Sequence, residues 1–417
     1  MQGSAKKIPM RVVAATVAGN ALEFFDFVTY AFFAVYIGQT FFPATDPFNS
    51  LLASVAVFGV GFVFRPLGGI LIGAYADRAG RRPAMLLTIA LITIGTMGLA
   101  LTPSYAQIGV AAPVIVIVCR LVQGLALGGE VGPASVFLIE AAPAGRRGLY
   151  SSWQLASQGL AVLAAGLLGL GLSLVLTKAE LTAWGWRIPF ALCLLLVPVA
   201  FYLRRTMPET LTEGAPAERA RLSAHSKLIV LAVLVILGGT VSTYVSNYMT
   251  TYAIATLHLP STVALSATVI GGVALFGGAL VGGWLADRYG RRGTMIWPRL
   301  LLALTTWPLF ILLSSHPTVA NLYLATIVLT GLTAISSAAS LVVIPELLPK
   351  AVRSTGLSIA YAVGVSLFGG TTQYVVTWLI KATDNPVSPA WYVTLTSVIT
   401  LAAMWVLPES RDRNLDA

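Results

Sequence analysis

Gly73-Ala-Tyr-Ala-Asp77-Arg78-Ala-Gly80-Arg81-Arg82 returns 210 residues later as Gly283-Trp-Leu-Ala-Asp287-Arg288-Tyr-Gly290-Arg291-Arg292. A second pair repeats at an offset of 206 residues: Glu140, Pro143 and Arg147, then Glu346, Pro349 and Arg353. Each charged cluster follows a long apolar run. Two repeats at nearly one offset imply two halves of common ancestry, arranged as parallel repeats.

The rest of the chain fits that frame. Of 417 residues, 57% are apolar and 10% charged, and the mean hydropathy is +0.84. Soluble chains run nearer 45–50% apolar and about 25% charged. A soluble enzyme, a nucleic-acid binder and a disordered scaffold are therefore excluded, and the solvent for most of the chain is the lipid bilayer. A spanning helix needs roughly 20 apolar residues. Twelve such stretches are read, at about 11–42, 49–76, 83–103, 109–141, 149–176, 184–204, 227–256, 261–286, 294–315, 319–347, 353–380 and 388–408. The first follows Lys6, Lys7 and Arg11, but it is too long for a signal peptide and contains Glu23 and Asp26.

The net charge of +10 is a topology signal. Twenty of the 26 Lys and Arg residues fall on one side of the predicted spans and three on the other. The positive-inside rule makes the crowded side cytoplasmic, with both termini there. The longest polar connection, 205–226, divides the chain into a six-helix bundle at 1–204 and another at 227–417. Cys119 and Cys193 sit in apolar runs and read as packing. His225, His258 and His316 show no metal-ligand spacing, so no metal and no cofactor is expected.

Gly80 and Gly290 allow tight turns in the repeated loops. Around them, Asp77, Arg78, Arg81, Glu140 and Arg147 form one set of candidate gate residues. Asp287, Arg288, Arg291, Glu346 and Arg353 form the matching set. Carboxylates accepting from these arginines would hold the cytoplasmic side closed in one state.

The loop Gly-x-x-x-Asp-Arg-x-Gly-Arg-Arg, present twice in a twelve-helix chain, resembles the major facilitator superfamily. The resemblance covers nearly the whole chain. It implies an all-α membrane fold of two pseudo-symmetric six-helix bundles, alternating access, and one substrate cavity between the halves.

Ionisable residues at membrane depth are costly and point to function. The first half carries Glu23 and Asp26 on helix one, and Arg120 and Glu130 on helix four. Glu23 and Asp26 share a face with Asn20 and Tyr30. On helix four, Arg120, Gln123 and Glu130 share a side. At about 1.5 Å of rise per residue, Asp26 lies between Glu130 and Arg120 in depth. Burial favours a neutral carboxylate and a facing arginine a charged one, so a change in pairing would load and release a proton. Asp26, Glu23 and Glu130 are the proton candidates. Arg120 also lies twenty residues before Glu140, which resembles the arrangement in proton-coupled sugar carriers.

Polar stripes facing lipid would be unsatisfied, so they face inward. Gln154 and Gln158 form one on helix five, Asn247 and Tyr248 one on helix seven, and Tyr361 one on helix eleven. Arg120 recognises a carboxylate bidentately in a dry cavity, which points to a small organic anion. The candidate substrate set is Arg120, Gln154, Gln158, Tyr30, Asn20, Gln123, Tyr248, Asn247 and Tyr361. Arg299 is expected to lie shallow and snorkel to the interface.

Gly19-Asn-Ala-Leu-Glu23-Phe-Phe-Asp26, Arg120-Leu-Val-Gln123-Gly and Trp184-Gly-Trp-Arg187-Ile-Pro-Phe190 resemble the metabolite–proton symporter branch. Ser152-Trp-Gln154-Leu-Ala-Ser-Gln158 and Phe368-Gly-Gly-Thr371 are most similar to citrate–proton symporters and tricarballylate carriers. The resemblance implies import of a tri- or dicarboxylate with protons across a bacterial inner membrane, by a monomer. The alternative is symport of another small metabolite, such as a keto acid, shikimate, an aromatic acid or a zwitterionic osmolyte. A drug exporter fits less well, because helix five lacks the proline of that class. A membrane receptor without flux is the remaining alternative.

Overall fold

The computed structural model describes residues 10–79, 81–128, 138–139, 142–143, 145–205, 225–349 and 353–411. Among these residues the chain is helical throughout, without a strand. Eight helices are long and apolar enough to cross a membrane, and a bent pair makes a ninth. Three shorter apolar helices, Leu86–Leu101, Ala111–Leu127 and Gly185–Leu195, occupy the places of spans three, four and six.

The first span runs Met10–Phe32, bends by 65° at Phe33, and continues as Ala34–Phe41. The second runs Pro47–Val63 and resumes as Arg65–Ala79. Its start is fixed by Asp46, whose carboxylate accepts from the Phe48 amide, with Pro47 at the first helical position. The fifth span is Arg147–Val175, the seventh Ser226–Ala255, the eighth Ser261–Tyr289, the ninth Arg291–Ser315, and the tenth Val319–Leu347. Gly290, at φ 101°, turns the chain sharply between spans eight and nine, the role its position in the repeated loop predicts. Its counterpart Gly80 and the linker at 206–224 lie outside the described residues. The eleventh span is Arg353–Gly364, a π-helical turn Val365–Gly369, then Gly370–Thr383; the twelfth is Pro389–Val406.

The outward faces carry large apolar side chains such as Ile70, Leu174, Trp297 and Trp405, and the polar ones turn inward. That is the pattern a lipid solvent requires. The two six-helix bundles meet along two seams, span five against span eight and span two against span eleven. The seams exchange under the repeat, since spans two and five correspond to eight and eleven. Both are lined by small residues that let backbones touch. A methyl group on Gly59 would overlap the Gly370 carbonyl, and one on Gly283 would meet the Gly148 carbonyl at 2.6 Å.

These contacts make a sharp expectation. Gly59→Ala costs about 1–3 kcal/mol, because backbone rather than a side chain must give way. Gly331→Ala, with open space at that position, is neutral or slightly stabilising. Thermal melts of the detergent-purified variants should separate the two. Equal melting temperatures would show that the seam between spans two and eleven is looser than described.

Candidate functional site

Three residues of the first half form a chain through the protein interior. The Gln123 Nε2 donates to Asp26 Oδ2 at 2.7 Å and sits 3.0 Å from Thr96 Oγ1. Arg120 Nη1 donates to Gln123 Oε1 at 2.7 Å. All three are buried. The orientation of the amide is forced, since a carboxylate only accepts and a guanidinium only donates. Gln123 lies three residues after Arg120, one turn along the same face, which is why it can reach across to helix one. The Arg120 guanidinium lies flat on Tyr30, 3.7 Å from the ring centroid. Tyr30 is held in turn by a hydrogen bond from its hydroxyl to the Ser54 carbonyl at 3.1 Å.

Asp26 and Arg120 thus face one another without pairing directly. A neutral amide stands between them. Asp26 Oδ1 and Arg120 Nε and Nη2 have no hydrogen-bond partner among the described residues. Buried polar groups left unpaired are expensive, so the relay is poised to rearrange. Glu130 and the side chain of Glu23, the other proton candidates, lie outside the described residues.

A central cavity lies between the halves and is lined from both of them. Phe24, Phe27 and Val28 of span one and Leu155, Gln158 and Val162 of span five form its first-half wall. Span seven supplies half of the other wall, including Gly239, Thr240, Thr243, Tyr244 and Asn247. Spans ten and eleven add Ser337, Ser340, Tyr361 and Val365. The described lining contains no charged side chain. Of the predicted substrate residues, Gln158, Asn247 and Tyr361 line this cavity. Arg120, Gln123 and Tyr30 stand outside its lining, in the relay. Asn20 donates to the Gln154 carbonyl at 3.1 Å and to Ser157 Oγ at 2.6 Å, tying span one to span five. Gln154 is buried in that contact region and also stands outside the lining. The Tyr248 hydroxyl accepts from Thr377 Oγ1 at 3.0 Å inside the second half, away from the cavity.

Two residues missed as site candidates are Arg65 and Tyr244. Arg65 is buried, its guanidinium 4.4 Å from the Phe62 ring centroid and 5.2 Å from that of Phe27. Phe62, on which Arg65 lies, packs edge-on against Tyr244 across the interface between halves, with ring centroids 5.5 Å apart. The signal was present in the sequence, an arginine inside the apolar run of span two. Arg299 is also misplaced by sequence reasoning. It does not snorkel; it is fully buried, bonded to the Gly238 carbonyl and Ser242.

The face that carries the repeated loops is closed by an ion cluster. Arg291 engages Glu346 in two prongs, Nη2–Oε1 at 3.0 Å and Nε–Oε2 at 3.2 Å. Its Nη1 reaches Asp287 Oδ1 at 3.1 Å. Arg147, from the other half, lies 3.7 Å from Glu346. Asp287 accepts from the Gly148 and Leu149 amides at 2.8 and 2.9 Å, so a carboxylate of one half caps a helix of the other. Arg288 stays out of the cluster and lies over Trp284 and Tyr289. Asp77, Arg78, Arg81, Glu140 and Arg353 lie outside the described residues or have undescribed side chains. At the opposite face, Lys381 bonds Asp46 at 3.0 Å and also Asn49. That hydrogen bond, followed by the Phe48 amide, holds the Asp46 carboxyl below its usual range. Nearby, Tyr36 donates to Ser261 Oγ at 2.6 Å, again across the halves.

The sequence pattern of the Major Facilitator Superfamily matches residues 16–372 and 264–415. A citrate-proton symporter of Salmonella typhi is 37% identical, covering 94% of this chain and 92% of its own. An alpha-ketoglutarate permease of Escherichia coli (strain K12) is 35% identical, covering 94% and 91%. The crystal structure of a D-xylose-proton symporter superimposes with a TM-score of 0.78 at 20% identity, covering 97% of this chain and 98% of that one. That last likeness concerns the fold alone.

The two closures differ in burial, and that difference is measurable. Arg291→Met strands the buried Glu346 and should cost about 3 kcal/mol. Lys381→Met removes an exposed pair and should cost under about 1 kcal/mol. Chemical or thermal denaturation of both variants checks the order; a larger loss in Lys381→Met would reverse it.

Proposed function

The chain belongs to the major facilitator superfamily, and from that premise we propose that it imports a citrate-like tri- or dicarboxylate with protons by alternating access. It is a membrane transporter, not an enzyme. The observation that carries the coupled mechanism is the Asp26–Gln123–Arg120 relay, next in sequence to Phe27 of a largely apolar cavity whose polar lining residues are uncharged. The kinship with a citrate-proton symporter supports the substrate class.

The relay links proton and anion through charge. With Asp26 ionised, its negative charge balances Arg120 through the Gln123 amide. A proton arriving at the free Oδ1 cancels that charge and leaves Arg120 uncompensated. The interior then favours an anion in the adjoining cavity, where Gln158, Asn247, Tyr244 and Tyr361 offer hydrogen bonds. By linkage, the bound anion raises proton affinity by the same factor. Occupancy of both sites removes the charge imbalance and lets the halves rock about their glycine seams. Glu23 and Glu130 are further proton candidates in this reading; Asn20 ties span one to span five at Gln154, and Tyr30 seats Arg120 beside Gln123.

The loop face is assigned to the cytoplasm from the arginine count, with both termini there, in a bacterial inner membrane. The working unit is a monomer in the bilayer, with bundles at 1–204 and 227–417 joined by 205–226. In the closed state Asp287, Arg291, Glu346 and Arg147 bar the cytoplasmic exit. A second reading, a keto-acid symporter, is favoured by the kinship with the alpha-ketoglutarate permease.

Radiolabelled citrate uptake into proteoliposomes tests the proposal. An inward proton gradient should stimulate wild-type uptake at least tenfold. Asp26→Asn should abolish that stimulation while citrate–citrate exchange persists. Absence of citrate flux in the folded wild type would reject the tricarboxylate assignment, and gradient-driven uptake by Asp26→Asn would reject the relay.

A further inference from the structure

The relay leaves a second buried arginine unused. Arg299 of span nine is fully buried in the second half. Its Nη1 donates to the Gly238 carbonyl at 3.0 Å and to Ser242 Oγ at 2.9 Å. Its Nε and Nη2 have no partner, and no carboxylate among the described residues forms an ion pair with it. A lone buried guanidinium is costly, and proteins rarely keep one without a counter-charge.

The free side of Arg299 faces the cavity wall. A methyl group on Gly239 would stand 3.7 Å from Arg299 Nη2 and 3.0 Å from Ser337 Oγ. Gly239 and Ser337 both line the cavity. Ser337 Oγ is also buried without a partner. Arg299 Nη2 and the Ser337 hydroxyl thus both lie beside Gly239, without an acceptor or donor partner among the described residues. An anion with at least two acceptor oxygens would satisfy them.

We propose that Arg299 and Ser337 form the carboxylate-binding site of the second half, entered over the bare Gly239. This rests on the carboxylate-import reading and names the residue that selects for it. A carboxylate seated there supplies the counter-charge that the empty protein lacks. Guanidinium and carboxylate match in a planar, two-pronged geometry that a lysine would not reproduce. Arg65 of the first half lies behind the same cavity, its guanidinium 5.2 Å from the ring centroid of Phe27, which lines it. A substrate with two or three carboxylates engages cations of both halves at once, whereas a monocarboxylate reaches one. The site therefore selects for polycarboxylates and draws the halves together around them.

Thermal melts of the full-length purified protein, with citrate as the probe, test the assignment. Wild type should be stabilised by citrate, more than by acetate at equal concentration. Arg299→Gln should melt at or above wild type without citrate, since it removes an uncompensated charge. A merely structural arginine would instead lower that temperature. Its apparent citrate affinity should fall at least tenfold. Gly239→Ala keeps Arg299 but places a methyl group in the approach, and its affinity should fall as well. Wild-type citrate affinity in both variants would overturn the inference and leave the import reading intact. Citrate that fails to stabilise even wild type would overturn both.

Discussion

One amide separates the two charges on which the mechanism turns. A direct Asp26–Arg120 ion pair in the low dielectric of the bilayer would be hard to open once formed. Gln123 avoids that by accepting from one ion and donating to the other, at 2.7 Å each. The charges still feel one another, but neither is spent on the other. Asp26 Oδ1 and two guanidine nitrogens of Arg120 stay free to respond to a proton or to a nearby anion. The tyrosine ring beneath Arg120 holds the cation in place while its partners change.

The architecture around this relay gives it something to move. Glycine-lined seams bring the backbones of the two halves together along spans five and eight and along spans two and eleven. The two faces are closed unequally. At the loop face, Glu346, Arg291 and Asp287 form a buried, multiply bonded cluster that also caps a helix of the opposite half. At the other face, the ion pair between Lys381 and Asp46 is exposed, with 38% and 47% of the side chains accessible. Exposed pairs contribute little. The empty carrier should therefore open more readily at the face opposite the loops, where an importer must wait for substrate.

Much of this was legible in the sequence because it depends on period and composition. The apolar runs mark the spans, the duplicated loop marks the two halves, and three residues of the inward stripes, Gln158, Asn247 and Tyr361, lie in the lining of the cavity. Helical spacing, however, says which residues share a face and not what meets that face. Gln123 was grouped with Arg120, yet its position between Arg120 and Asp26 depends on how helices one and four approach. Tyr248 shares its helix with Asn247 but turns into the second half, towards Thr377. Arg299 was read as shallow because span nine was started at residue 294. The helix begins at Arg291, which places Arg299 about 12 Å along the axis at 1.5 Å per residue. On the facing span the Gly238 carbonyl accepts from its head group and the bare Gly239 lies beside it, a feature no single-helix pattern reveals.

The central claim is that Asp26 takes up a proton because an anion binds beside its relay. Proton uptake can be read directly, with a pH indicator, when citrate is mixed with the purified transporter in weak buffer. The account predicts about one proton taken up per citrate bound by the wild type, and none by Asp26→Asn while it still binds citrate. Equal proton uptake by the two proteins, or citrate binding to the wild type without any, would contradict it.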